Sequence, residues 1–256
     1  NPDPRANGLA AHGASDEEDA RESAALIGDV DLEPPRFYFP RRHVVMLMLF
    51  LGIAVAYGLR VCMSIAAAPI SSSSAQSGPS ISMYNEFSWN DTQKGIVLSA
   101  FFYGYISTQV VGGLLAKSFG GKPVLLGGLF LASLFTLATP WAAYSFDTLL
   151  AARVLTGVVE GVTYPSMITV LDQWTPPDER SLFVAFVFSG AYIGNVVTLS
   201  LGGVVAFRYG WRVLFTALAG VGFVWSLLFA LLVSGRPDLC RSMHPSERRR
   251  LARETP

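Results

Sequence analysis

The chain has 256 residues, a net charge of zero, 51% apolar and 15% charged residues, and a mean hydropathy of +0.41. Zero net charge gives no basic field for nucleic acid. The two cysteines, Cys62 and Cys240, stand too far apart in the pattern to pair, so neither a disulfide framework nor a thiolate metal site follows.

Residues 1–40 are rich in Ala, Asp, Glu and Pro and lack apolar periodicity. Such a segment cannot bury enough surface to offset the entropy of ordering, so a disordered acidic tail is expected. Beyond it the charges are swept into short patches between six apolar runs: Val44–Ala68, Gly95–Ala116, Val124–Ala143, Leu149–Leu171, Leu182–Phe207 and Val213–Val233. Each is long enough for a helix to cross about 30 Å of hydrocarbon, which takes roughly 18 residues or more. The expectation is an all-α membrane domain over residues 41–235, followed by a basic segment over 236–256. The first run is full-length and follows a long acidic stretch, unlike a secretory signal.

Orientation follows from the basic residues. With the amino terminus in the cytosol, the inner segments collect Arg36, Arg41, Arg42, Lys117, Lys122, Arg180, Arg236, Arg241, Arg248, Arg249, Arg250 and Arg253, and the outer ones only Lys94, Arg208 and Arg212. Both termini are therefore expected in the cytosol. The first outer connection, Pro69 to Lys94, holds the run Ser71–Ser74 and reads as flexible. Trp89 suits a bilayer interface. Asn90-Asp91-Thr92 fits a glycosylation sequon, though it lies close to the second span.

Three ionisable residues fall inside the spans: Arg60 in the first, Arg153 and Glu160 in the fourth. Each costs at least about 2.5–3.5 kcal/mol at the bilayer centre, so such residues usually face the protein interior and serve function. Arg153 and Glu160 are two helical turns apart and share a face with Gly157 and Tyr164. By rise per residue, both arginines lie in the outer half and Glu160 nearer the midplane. Two cations on one cavity attract an anion, and a guanidinium matches a carboxylate or phosphate bidentately. Desolvation favours the neutral form of a carboxyl group, which suits a proton carrier. The structural alternative is that Arg153 and Glu160 neutralise each other, or that Glu160 pairs with a helix outside this sequence. Tyr103, Gln109 and Asn195 are candidate pathway residues, with interhelical hydrogen bonding as the plainer role. No nucleophile–base pairing or metal spacing appears, and the three histidines lie outside the spans, so neither an enzyme nor a cofactor is expected.

Several stretches carry a family resemblance. Glu160-Gly161-Val162-Thr163-Tyr164-Pro165 precedes Trp174-Thr175-Pro176-Pro177-Asp178-Glu179-Arg180-Ser181. Tyr57-Gly58-Leu59-Arg60, Phe87-Ser88-Trp89-Asn90 and Phe101-Phe102-Tyr103-Gly104-Tyr105-Ile106-Ser107-Thr108-Gln109 with Gly112-Gly113 accompany them. From about Arg41 to Val233 the chain resembles the anion:cation symporter family of the major facilitator superfamily, the family of sialin, the vesicular glutamate transporters and sodium-phosphate transporters. The resemblance implies six helices as the amino-terminal half of a twelve-helix fold, with a carboxy-terminal six-helix half as partner. It also implies anion recognition by Arg60 and Arg153, with Glu160 in proton coupling or gating.

Three positions depart from the pattern. Leu98 replaces a histidine typical of the vesicular glutamate transporters, so glutamate as substrate lacks support. Cys62 stands where relatives usually have Asn. Lys117 stands where the superfamily's inner-loop motif carries an acid. In the tail, Glu22-Ser23-Ala24-Ala25-Leu26-Ile27 resembles an acidic dileucine sorting signal, which implies an endosomal, lysosomal or other vesicular membrane.

The combined expectation is secondary active transport of a small organic or inorganic anion by alternating access. Arg60, Arg153 and Tyr164 would bind substrate and Glu160 would couple the movement to a proton, with sodium or the membrane potential as other drivers. The alternative is a non-transporting membrane sensor or scaffold that has kept the fold.

Overall fold

The computed structural model describes residues 41–68, 83–87 and 89–235. The expectations for the acidic tail and its dileucine-like stretch, the Ser-rich connection and the basic segment fall outside those residues.

Among the described residues, six helical stretches are long and apolar enough to cross a membrane. The first span is α1, Arg41–Ala66. A short helix α2, Met83–Phe87, precedes the second span α3, Asp91–Phe119. The third is α4, Gly121–Ala142. The fourth comprises α5, Phe146–Glu160, and α6, Thr163–Trp174. A 3₁₀ turn at Pro177–Glu179 leads into the fifth, α7, Arg180–Tyr209, and the sixth is α8, Trp211–Leu232.

The fourth span departs from the expected continuous run, breaking between Glu160 and Thr163. Pro165 explains the position. It has no N–H to return to the Gly161 carbonyl, and its ring crowds that carbonyl. The chain restarts with Ser166 donating to Val162 at 3.2 Å. Glu160 is thus the last residue of α5.

Helix ends follow local chemistry. The Asn90 side chain accepts from the Gln93 N–H at 2.8 Å and the Gln93 side chain accepts from the Asn90 N–H at 3.1 Å, a reciprocal capping box. The sequon asparagine is therefore the N-cap of the second span. The turns joining second to third and fifth to sixth spans each rest on one glycine, Gly120 at φ 91° and Gly210 at φ 89°. Side-chain-bearing residues rarely tolerate that conformation.

The first span lies chiefly on the fifth and the second on the fourth, while the third packs against both the fourth and the sixth. Glycines set the closest approaches. A Cβ on Gly104 or Gly157 would collide with the backbone of the facing helix, at Val154 and Phe101 respectively. Gly190 and Gly194 meet the carbonyls of Phe50 and Ala54 in the same way. Small residues at crossings are how membrane helices gain contact where the hydrophobic effect offers no preference.

The correspondence is a repeat. Gly104, Thr108, Gly112, Gly113 and Gly120 of the second span and its turn recur ninety positions later as Gly194, Thr198, Gly202, Gly203 and Gly210. The facing residues Ala54 and Val154 stand one hundred positions apart. Spans one to three therefore match spans four to six, with a shorter connection in the second set. Since an odd number of spans separates equivalents, the two triplets run in opposite directions across the bilayer, the inverted repeat described for this architecture.

The two ends of the bundle are tied by ion pairs. At the Gly120 end, Arg42 meets Glu179 at 2.8 Å and Arg180 meets Asp172 at 2.5 Å. At the Gly210 end, Glu86 on α2 pairs with Arg212 and accepts from the Trp211 indole N–H at 3.0 Å. Phe87 stacks on Trp89, and Trp89 meets Phe146 edge to face, continuing that cluster.

Candidate functional site

The interior charges converge where the two triplets meet. Arg60 reaches across from the first span, and its Nη2 lies 3.3 Å from Oε2 of Glu160. Glu160 is fully buried and Arg60 largely so. The pair consists of equivalent repeat positions, one hundred residues apart, as expected for groups flanking the axis that relates the triplets.

Three aromatic rings surround the Arg60 guanidinium. Its Cζ lies 4.9 Å from the Tyr57 centroid, 4.7 Å from Phe101 and 4.5 Å from Tyr105. Phe101 and Tyr105 come from adjacent turns of the second span and stack at 5.7 Å. Cation–π attraction is worth more in a desolvated setting, about 2 kcal/mol or above. The rings hold the guanidinium in place while leaving its hydrogen-bond donors to other groups. Arg60 Nε makes no hydrogen bond among the described residues.

Arg153 lies against the same Phe101 ring at 5.5 Å and is 1% exposed. Its Nε and Nη1 have no hydrogen-bond partner among the described residues, nor has Oε1 of Glu160. The possible Arg153–Glu160 pair within one helix is therefore replaced by a pair between helices. A buried guanidinium with idle donors is costly, and functional sites are where such costs are retained.

The tyrosine hydroxyls of Tyr57 and Tyr164 meet at 2.8 Å, and the Tyr164 ring stacks on Phe188 of the fifth span at 5.4 Å. Tyr164 thus belongs to the same cluster as Arg60. Asn195 is half-buried on the fifth span, and its Oδ1 is buried without a hydrogen-bond partner among the described residues. Tyr103 is 74% exposed and Gln109 is exposed. Tyr105, Phe101 and Tyr57 are the aromatic members that the sequence did not single out as site residues. The four-residue spacing of Phe101 and Tyr105 was the available signal, since residues four apart share a helix face.

Near the cluster, Cys62 is fully buried and its thiol donates to the Leu59 carbonyl at 2.9 Å. No group of three or more metal-ligating side chains occurs among the described residues.

The Major Facilitator Superfamily model matches residues 49–252. The chain is similar to sialin of Ovis aries, at 35% identity over 234 residues covering 84% of this chain and 47% of that protein. It is similar to the chloroplastic sodium-dependent phosphate transport protein 1 of Arabidopsis thaliana, at 35% identity over 84% of this chain and 40% of that protein. Vesicular glutamate transporter 1 of Bos taurus shares 32% identity over 83% of this chain and 39% of its own length. The chain thus spans less than half the length of these relatives. A bacterial homolog of the human lysosomal transporter Spinster, in an inward-facing and unoccupied conformation, superposes with a TM-score of 0.65 at 19% identity. That match covers 78% of this chain and 44% of the other, and it agrees with the six-span fold described above. With most of its spans inside the family match and the repeat architecture in place, the chain belongs to the Major Facilitator Superfamily.

Proposed function

We propose that the chain forms one wall of a secondary active transporter for small organic or inorganic anions, working by alternating access against a second six-helix half. The observation that carries this reading is the Arg60–Glu160 pair, 3.3 Å apart, inside a ring of aromatics with Arg153 beside it. The guanidinium of Arg60 has one competitor for an incoming anion, the Glu160 carboxylate. A proton on Glu160 removes that competitor, leaving Arg60 free to donate to a carboxylate or phosphate. Arg153, with idle donors, supplies the second cation. Tyr57 and Tyr164 offer hydroxyls at the edge of the same space.

Proton coupling follows from that competition, with sodium or the membrane potential as the other drivers. The excess of basic residues at the Gly120 end supports a cytosolic location for both termini. The names of the relatives span lysosomal-type, vesicular and chloroplastic carriers, and the tail's dileucine-like stretch favours an endosomal or lysosomal membrane for this one.

The test is uptake by the complete gene product in liposomes, under an imposed pH gradient and separately an imposed potential. Labelled inorganic phosphate, glutamate and sialic acid form the panel. Saturable uptake of one anion, reduced at least about tenfold by Arg60→Ala or Arg153→Ala, is expected, since loss of a buried charge-assisted contact is worth about 1.5–3 kcal/mol. Glu160→Gln is expected to retain exchange but lose the response to pH. Folded, correctly inserted protein that takes up none of these anions under either gradient would favour the sensor or scaffold alternative.

A further inference from the structure

The inverted repeat assigns a partner to the second face of Glu160. Arg60 and Glu160 are equivalent positions, and so are Tyr105 and Asn195, ninety residues apart like the glycines beside them. Tyr105 sits 4.5 Å from the Arg60 guanidinium. By the repeat, the equivalent juxtaposition in the other triplet would set Asn195 beside Glu160.

Two independent observations point the same way. The fourth and fifth spans face each other through the stacked rings of Tyr164 and Phe188. Asn195 lies seven residues, about two turns, beyond Phe188 on the same helix face, toward the Gly210 end. Glu160 lies one turn from Tyr164 in the same direction, so the amide and the carboxyl differ in height by roughly one turn, about 5 Å. Both groups also carry a buried oxygen with no hydrogen-bond partner among the described residues, Oδ1 of Asn195 and Oε1 of Glu160. Two acceptors do not bond to each other until one gains a proton.

We propose that Asn195 is a positioning residue for the protonated state of Glu160, its Oδ1 accepting the carboxylic O–H when an anion has taken Arg60. This rests on the transport reading above. In the pair seen here Glu160 Oε2 accepts from Arg60 Nη2. On protonation its O–H needs an acceptor in a dry interior, and Asn195 Oδ1 supplies one without adding charge. The other groups near Glu160 are accounted for. Tyr57 and Cys62 come from the first span with Arg60, Tyr105 from the second, and Arg153 and Tyr164 from its own; Arg153 has idle donors but no acceptor for the O–H, the Tyr57 and Tyr164 hydroxyls bond each other, and the Cys62 thiol is bonded to Leu59.

The experiment is the pH profile of uptake for the complete gene product in liposomes, with phosphate, glutamate and sialic acid each offered. The isosteric pair Asn195→Val and Asn195→Thr differs in a hydroxyl, which can accept the carboxylic O–H. Removing an acceptor from the neutral acid favours the carboxylate, so Val is expected to move the half-maximal pH toward acid by about half a unit or more. Thr is expected to stay near the parent value. In a Glu160→Gln background neither substitution is expected to alter the profile. Asn195→Ala replaces Val if the latter does not fold. An unmoved midpoint in the acceptor-free variant, a shift toward alkali, or the same shift in the Glu160→Gln background overturns the assignment. Absence of uptake by the parent protein defeats the transport reading and this one with it, whereas normal uptake with an unmoved midpoint defeats this one alone.

Discussion

Arg60 and Glu160 hold each other in a place where neither is stable alone. Removing one partner of a buried ion pair leaves the other charge uncompensated, at a cost of about 3–5 kcal/mol, while replacing both is far milder. Arg60→Ala is therefore expected to lower the melting temperature of the detergent-purified protein by several degrees. Arg60→Ala combined with Glu160→Gln is expected to recover most of that loss. A double variant no more stable than Arg60→Ala would show that the pair contributes little at this site. The charges themselves were legible in the sequence because three ionisable residues inside apolar runs have no ordinary explanation. The aromatic ring around Arg60 was not. Tyr103 and Tyr105 are two residues apart and equally plausible by type, but on a helix they point nearly opposite ways. Only Tyr105 turns toward Arg60, while Tyr103 stands 74% exposed.

At the scale of the helix, close crossings make particular glycines indispensable and others free. A Cβ at Gly157 would meet the Phe101 carbonyl, and one at Gly194 the backbone of Ala54, whereas Gly127 and Gly203 have nothing within 4 Å. Overpacking typically costs about 1–3 kcal/mol. Gly157→Ala and Gly194→Ala are expected to reduce the monodisperse fraction on size-exclusion chromatography, with Gly127→Ala and Gly203→Ala indistinguishable from the parent. Equal behaviour of the two sets would contradict the packing described. Glycines inside apolar runs are visible in the sequence, but which ones carry a crossing depends on helix rotation. The break in the fourth span was similarly hidden. Pro165 is a visible signal, yet proline is tolerated in membrane helices often enough that a break did not follow from it alone.

For the whole molecule, the Glu86 cluster and the Arg42–Glu179 pair tie opposite ends of the bundle. Glu86→Ala removes the carboxylate that Arg212 and the Trp211 indole share. Faster amide exchange at residues 83–89 and the start of the sixth span is expected, with the pH profile of uptake unchanged. Unaltered exchange there would mean the cluster does not order the connection. The proposed orientation is tested by single-cysteine labelling in a Cys62→Ala, Cys240→Ala background. Lys117→Cys is expected to react with an impermeant maleimide from the cytosolic side only, and Arg208→Cys from the opposite side only.

The sequence by itself determined the six spans and the presence of three charges within them. A membrane helix must be long, apolar and internally hydrogen-bonded, and those demands are local, so they are written in consecutive residues. Only the tertiary structure decided that Glu160 pairs with Arg60 rather than Arg153, and that Tyr105, Phe101 and Tyr57 enclose the pair. Those partners come from different helices, and their meeting depends on the rotation and crossing of each helix, which the periodicity of any single span does not contain.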